Sequence, residues 1–136
     1  MSNTEQTLSI IKPDAVERNL TEDIKKIFTK NNLEIKESKK IHINKDEAAE
    51  FYKVHQSKPF YSDLCAYLSS GPIVVMILEG NNAVASNRKI MGATNPKDAE
   101  ENTIRKLYGI SIDKNSVHGS DSIENAKKEI EFFFKN

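Results

Sequence analysis

The chain contains one cysteine and no tryptophan among its 136 residues. Because Cys65 is the only thiol, no disulfide can form within the chain, which is typical of proteins in a reducing compartment. Neither sign of charge predominates: Lys and Arg together number 20, and Asp and Glu together also number 20, so the formal net charge is zero. A nucleic acid or a membrane surface held by bulk charge is therefore not expected as the main partner.

Long apolar segments are absent too. The longest apolar run extends from Ile73 to Leu78, far short of the ~20 residues that a membrane-spanning helix needs. The polar start, Met1 to Gln6, has no apolar region typical of a signal peptide. Together with 38% hydrophobic and 29% charged residues, these features predict a single cytoplasmic globular domain over residues 1–136.

Several well-known site motifs are missing. The sequence has no G-x-x-x-x-G-K-[ST] loop, no G-x-G-x-x-G and no H-R-D or D-F-G pair, and it has neither C-x-x-C nor H-E-x-x-H. A metal site made of protein side chains is therefore not expected.

The hydrophobic pattern predicts strands and helices in alternation. Expected strands are Thr7–Ile11, Leu33–Ile43, the doubly apolar Ile73–Leu78, and Asn115–Ser120. Capping residues place the starts of helices at Thr21, Asn44, Asn81 or Asn82, Thr103 and Asp121, with a further short helix over Phe60–Leu68. This order predicts an α/β (α+β) sandwich of ferredoxin-like type, in which helices cover a four-stranded antiparallel sheet.

His118 is the most informative candidate site residue. Its run, N-S-V-H-G-S-D over residues 115–121, is typical of a strand end, a glycine and a helix start. A helix N-terminus disfavours the imidazolium form and keeps the ring neutral, as a nucleophile requires. The alternative is an ordinary surface histidine.

Three cations come from separate segments. Lys12 ends the first strand, Arg88 lies near the end of a helix, and Arg105 lies in the first turn after Thr103. A cation in a first turn opposes the helix dipole at about 0.3–1 kcal/mol, so Arg105 is a candidate anion ligand. Lys12 and Arg105 could equally be solvated, and for Arg88 this is the stronger alternative, because a cation is favourable near the end of a helix. If the cations converge around His118, the group suits phosphoryl transfer.

Other candidates have plain alternatives. Tyr52 and His55 share one helix side and would ordinarily be core residues. Phe60 is either a core residue or an exposed surface for stacking a base, and Thr94 lies in a loop bounded by glycine and proline.

Taken together, these segments resemble nucleoside diphosphate kinase over nearly the whole chain, from Thr7 to Phe134. The matching runs are T-L-S-I-I-K-P-D-A-V (7–16), K-P-F (58–60), S-G-P (70–72), M-G-A-T-N-P (91–96), T-I-R (103–105) and N-S-V-H-G-S-D (115–121). The resemblance implies reversible transfer of a γ-phosphoryl group from a nucleoside triphosphate, mainly ATP, to a nucleoside diphosphate. The transfer would be ping-pong, through phosphorylated His118, with broad base specificity. Mg²⁺ would arrive on the nucleotide phosphates.

The resemblance also implies residue roles. Lys12 would contact the ribose and the transferring phosphate, Tyr52 would lie beside the phosphorylation site, and Asn115 would bind the sugar hydroxyl. Ser120 and Glu129 would orient the histidine. The implied catalytic set is His118, Lys12, Tyr52, Asn115, Ser120 and Glu129. The implied nucleotide-binding set is Lys12, His55, Phe60, Leu64, Arg88, Thr94, Arg105 and Asn115, in which Phe60 stacks on the base with Leu64 behind it.

The family forms homo-oligomers, so the resemblance implies a hexamer or a tetramer built from dimers. The strand Leu33–Ile43 would pair with a twin strand, although Lys39 and Lys40 suit an edge protected from pairing. Glu22 and Gln6 replace the glycine and arginine usual in the family. Two other functions stay open: a module that binds nucleotides without catalysis, and a histidine phosphocarrier that needs a partner protein.

Overall fold

A computed structural model describes residues 4–112 and 114–134 of the chain. Residues 1–3, 113, 135 and 136, which belong to the expected domain 1–136, lie outside the described residues. The described strands are β1 (Thr4–Ile11), β2 (Glu34–Ile41), β3 (Ile73–Asn81) and β4 (Val117–Gly119). The described α-helices are α1 (Pro13–Glu17), α2 (Thr21–Lys30), α3 (Lys45–Phe51), α4 (Tyr61–Leu68), α5 (Ala83–Met91), α6 (Ile104–Tyr108) and α7 (Ile123–Phe134). Short 3-10 turns occupy Lys53–His55 and Pro96–Asp98.

The strands form one antiparallel sheet in the order β2-β3-β1-β4. This confirms the ferredoxin-like sandwich expected from the sequence. β1 pairs with β3 over its full length, whereas β4 pairs only three residues with β1, and His118 lies opposite Ile10. Over residues 4–112 and 114–134, no helix is both long enough and apolar enough to cross a membrane.

A hydrophobic core lies on each face of the sheet, because side chains alternate along β1. Leu8 and Ile10 belong to the cluster that includes Tyr52 and Phe133, and Ile11 belongs to the opposite cluster with Phe28. Residues paired across antiparallel strands share a face. His118, paired with Ile10, therefore lies on the face covered by α3, α4 and α7.

The helix starts agree with the sequence in part. Asn44 forms the expected capping box with Glu47, and the Thr103 hydroxyl accepts from Lys106 N–H. Two expected caps were wrong. Thr21 is the first residue of α2 and not its N-cap. The N-cap position is taken by Leu20, whose backbone is already helical. At α7 the Ser122 hydroxyl, rather than Asp121, accepts from Asn125 N–H at 3.1 Å.

Helix α1 is not among the helices expected from the sequence, because a proline after a strand is typical of a break in regular structure. Proline is favourable in the first turn of a helix, where its missing N–H leaves no hydrogen bond unmade. The five-residue helix that Pro13 begins turns the chain away from the end of β1.

Gly119 brings β4 close against α5. A Cβ atom at this position would lie 2.3 Å from Asn87 Nδ2 and 2.8 Å from Met91 Cε. Asn87 is fully buried, so its carboxamide has little room to move aside. The sheet therefore needs glycine beside His118 for steric reasons.

We expect Gly119→Ala to lower the free energy of unfolding by about 1–3 kcal/mol, the usual cost of overpacking. Urea denaturation measures this change. Gly71→Ala is the matched control, because a Cβ there meets only Pro13 Cβ, at 3.6 Å. Equal stabilities of the two variants would contradict this account of the packing of β4.

Candidate active site

One cavity of about 770 Å³ opens beside the ends of β1 and β4. It collects side chains from β1, β4, the α3–α4 region, α5, α6 and α7. The expected site residues that line it are Lys12, Tyr52, His55, Phe60, Leu64, Arg88, Thr94, Arg105, Asn115, His118 and Glu129. Ser120 is fully buried behind this wall. The structure thus brings together residues that are up to 117 positions apart, from Lys12 to Glu129.

His118 is held on one side of its ring. Nε2 lies 3.2 Å from Glu129 Oε1, and Phe51 packs edge-on against the imidazole with ring centroids 5.3 Å apart. Among the described residues Nδ1 has no hydrogen-bond partner. The His118 side chain is 22% exposed. The ring is therefore oriented by a carboxylate at Nε2, which leaves Nδ1 as the nitrogen available to an electrophile.

Ser120 and Glu129 form a hydrogen-bonded chain behind the imidazole. The Ser120 hydroxyl donates to Glu129 Oε1 at 2.7 Å and accepts from Leu8 N–H at 3.3 Å. Ser120 N–H in turn donates to Leu8 O at 3.2 Å. Glu129 reaches this position because α7 packs along β1. The carboxylate is consequently positioned by the backbone of the central strand.

A second hydrogen-bonded chain joins three loops at the cavity floor. Lys12 Nζ donates to Asn115 Oδ1 at 2.9 Å, and Asn115 Nδ2 donates to Thr94 O at 3.0 Å. Lys12 and Asn115 are both buried. Their polar atoms are thus held in place at the cavity wall.

Arg105 is a buried cation with carbonyl partners. Nη1 donates to Gly92 O at 3.0 Å and Nη2 donates to Val117 O at 2.9 Å, while Nε has no partner among the described residues. Burial, and then the neighbouring charge of Arg88, lower the pKa of Arg105 to about 10. The guanidinium is still charged at neutral pH. Repulsion between the positive charges of Arg88 and Arg105 favours the binding of an anion near both.

An aromatic row leads from the core to the rim of the cavity. Ring centroids of Tyr52 and His55 are 6.2 Å apart, and those of His55 and Phe60 are 6.3 Å apart. Phe60 is 45% exposed, so it is not the core residue that its sequence also allowed. Burial raises the pKa of the Tyr52 hydroxyl, with smaller effects from Cys65 and Glu129, which keeps it protonated as a donor. Leu64 lines the cavity near this row.

Phe51, Ile112 and Asp121 are among the lining residues that the sequence did not predict. Phe51 is an apolar residue at the end of α3, where its sequence is typical of a core residue, and Ile112 lies in a polar loop without periodicity. Asp121 had been assigned to a helix cap. A hydrogen bond from Asn125 lowers the pKa of Asp121, as do the charges of Arg88 and His118, although burial opposes them. Its position directly after the H-G-S run was the available signal.

The acidic and basic groups do not form a metal cage. In the ranges 4–112 and 114–134, no group of three or more His, Cys, Asp and Glu residues is arranged to hold a metal ion. The cavity instead combines cations, an oriented imidazole and an exposed aromatic ring. That combination suits a phosphate chain joined to a flat ring system.

The chain was compared with known protein families and sequences, and the matches agree with the geometry of the cavity. The family model described as nucleoside diphosphate kinase matches residues 5–136. A nucleoside diphosphate kinase of Rhizorhabdus wittichii is 58% identical over 132 residues, covering 97% of this chain and 94% of the relative. One from Nitratiruptor sp. is 58% identical over 130 residues, covering 96% of this chain and 95% of the relative.

Solved structures agree in fold. The nucleoside diphosphate kinase of Aquifex aeolicus superposes with a TM-score of 0.96 at 39% identity, covering 98% of this chain and 96% of that chain. The enzyme of Encephalitozoon cuniculi gives a TM-score of 0.93 at 38% identity, covering 97% and 90%.

The surroundings of His55 predict how its protonation changes the stability of the fold with pH. Burial, then the charges of Lys58 and His118, lower the pKa of His55 below 6.5, although Asp121 opposes them. Between that lowered pKa and 6.5 the unfolded chain binds more protons, so His55 reduces stability as pH falls through this window. We expect Lys58→Gln to raise the pKa of His55 in an NMR titration of the imidazole signals.

The control is Lys97→Gln, which removes a charge outside the group that acts on His55. It should leave the His55 titration unchanged. An unchanged or lower pKa in Lys58→Gln would show that the Lys58 charge does not act on this ring.

Proposed function

Because this chain belongs to the nucleoside diphosphate kinase family, we propose that it transfers a γ-phosphoryl group from ATP or another nucleoside triphosphate to a nucleoside diphosphate, through phosphorylated His118. The observation that carries this proposal is the one-sided contact of His118. Glu129 occupies Nε2 at 3.2 Å, and Nδ1 faces no protein partner in the described chain. A neutral ring with this tautomer presents a lone pair at Nδ1.

In the first half-reaction, Nδ1 attacks the γ-phosphorus. The Nδ1–P bond forms as the bond from phosphorus to the β–γ bridging oxygen breaks, and the nucleoside diphosphate leaves with that electron pair. The imidazole keeps its proton at Nε2, where the Glu129 carboxylate stabilises the charge that develops on the ring. A terminal oxygen of the acceptor diphosphate then attacks phosphorus and regenerates the free ring.

The cations stabilise the transferring group. Lys12 would contact the ribose and the γ-phosphoryl oxygens, and Arg88 and Arg105 would hold the phosphates together with His55 and Thr94. The burial of Lys12 and Arg105 supports this role, because rigidly held cations need no reorganisation when charge develops.

The base and sugar have simpler contacts. Phe60 would stack on one face of the base, with Leu64 behind, and Asn115 would bind a sugar hydroxyl. Stacking tolerates any base because every base has a π-face, which supports broad specificity. Tyr52 would donate its hydroxyl beside the phosphorylation site, and Ser120 would hold Glu129.

Mg²⁺ would enter on the phosphates of the nucleotide, which it binds in preference to dedicated protein cages. When bound, it would neutralise phosphate charge. The donor set fits this arrangement, since the carboxylate of Asp121 lines the same cavity as Lys12, Arg88 and Arg105.

We also propose that residues 1–136 act as one domain of this family, in the cytoplasm and as a hexamer or a tetramer built from dimers. Its partners would be nucleotides and further copies of the chain, and neither a membrane nor a nucleic acid would be its main partner. The match over residues 5–136 supports the single domain, and the single buried thiol, Cys65, supports a reducing compartment.

Incubation with γ-labelled ATP and Mg²⁺ tests the mechanism. We expect a label that acid removes and base does not, as for a phosphoimidazole, and we expect His118→Ala to abolish it. His42→Ala is the matched control, because His42 lies on the surface and bonds only Ser69 O, at 2.9 Å. Labelling that survives His118→Ala would refute the assignment.

The same assay separates the alternatives. A binding module without catalysis would bind ATP and form no phosphoenzyme. A phosphocarrier would accept label and need a second protein to pass it on. Transfer of the label to GDP or dTDP by the purified chain alone would exclude both.

Phe60→Ala tests the stacking surface. Loss of one stacked base contact, about 1–3 kcal/mol, should raise KM about 5- to 150-fold for purine and pyrimidine nucleotides alike. Leu107→Ala is the control, since Leu107 is 51% exposed and outside the cavity lining. Steady-state kinetics with four diphosphates measure the effect, and an increase confined to one base would contradict stacking without edge contacts.

A further inference from the structure

Ser116 has a backbone conformation that serine rarely adopts. Its φ angle is +73°, and Val117 N–H donates to Asn115 O across it at 2.9 Å. The other non-glycine residues with positive φ in the described chain are all asparagines: Asn19, Asn32, Asn82 and Asn102. Asparagine tolerates this region, whereas serine needs surrounding contacts to hold it there.

The Ser116 hydroxyl is held by an ion pair between the buried Asp14 and the exposed Arg18, neither of which takes part in the mechanism above. It donates to Asp14 Oδ2 at 2.8 Å and accepts from Arg18 Nη2 at 3.3 Å. Arg18 Nη2 also pairs with Asp14 Oδ2 at 3.0 Å, and the Tyr67 hydroxyl donates to Asp14 Oδ1. Ser116 is fully buried and the Asp14 side chain is 4% exposed. The side chain of the strained residue therefore has charged partners on both sides.

The same residue joins the parts of the site through its backbone. Ser116 O accepts from Lys12 N–H at 2.8 Å. Asn115, which precedes it, bonds Lys12 Nζ at 2.9 Å. His118 follows two residues later and has its own support from β1 and Glu129. A relaxed turn at Ser116 would therefore move Lys12 and Asn115 more than the imidazole.

We propose that Asp14 and Ser116 are positioning residues: their hydrogen bond holds the left-handed turn that places Lys12 and Asn115 against the transferring phosphate and the sugar. This inference rests on the proposed function of the site. Asp14 and Ser116 do not line the cavity, so they act through their neighbours rather than on the substrate. Displacement of a reacting or charge-stabilising group by about 1 Å is enough to slow an enzyme markedly.

Two substitutions at Ser116 distinguish the effect of losing the hydroxyl from the effect of losing the positive-φ conformation. Ser116→Ala loses the hydrogen bond, and alanine disfavours positive φ as serine does, so the turn should relax and kcat should fall about tenfold. KM should rise by a smaller factor than kcat falls, because only Lys12 and Asn115 shift, whereas Arg88, Phe60 and the other nucleotide contacts lie on other segments. Ser116→Gly also loses the hydroxyl, yet glycine adopts positive φ freely, so kcat should return to within about twofold of the parent chain.

Asp14→Asn should lower kcat in the same way, and adding Ser116→Ala to it should cost little more, since both changes remove one interaction. Ser69→Ala is the control: its hydroxyl donates to Cys65 O at 2.8 Å, away from the cavity. Circular dichroism and a urea midpoint for each variant confirm that the chains compared are folded.

The kcat values of these variants test the positioning role. If the parent chain is active and Ser116→Ala has the same kcat, the positioning role is overturned and the proposed function stays intact. The same holds if Ser116→Gly loses as much kcat as Ser116→Ala. A rise in KM without a fall in kcat also overturns it. A parent chain that forms no phosphoenzyme removes the proposed function and this inference with it.

Discussion

Antiparallel hydrogen bonding between β1 and β4 sets His118 beside Ile10, on the face of the sheet where α3, α4 and α7 pack. β4 has only three residues, too few to be stable by pairing alone. Its other supports are Ser120, bonded to the backbone of β1, and Arg105, bonded to Val117 O. Because Ser120 and Arg105 also belong to the site, the strand that carries the imidazole and the groups around it depend on one another.

The basic residues fall into two kinds. Arg18 is paired with the buried carboxylate of Asp14 and serves the structure. Arg105 is oriented by the carbonyl oxygens of Gly92 and Val117 and forms no carboxylate pair within the described residues. The basic residues that line the cavity outnumber the carboxylates by five to three (Lys12, Lys53, Arg88, Arg105 and Lys128 against Glu50, Asp121 and Glu129), so a neutral chain presents a net positive cavity.

Much of the fold could be predicted from local sequence, because hydrophobic period and capping residues are local properties: the capping box at Asn44 and the doubly buried β3 are examples. The site could be predicted only as a set of residues matching a family. The contact between Glu129 and His118 depends on how α7 packs along β1, and the left-handed turn at Ser116 depends on Asp14, far away in the sequence. No periodicity carries such long-range information.

The central strand has a consequence for biosynthesis. The bonds of Leu8 to Ser120 span 112 positions. During synthesis, the edge of β1 that pairs with β4 therefore stays without its partner until residues 117–120 have left the ribosome. The cavity, which includes His118 and Glu129, is complete only after β4 and α7 have docked on β1.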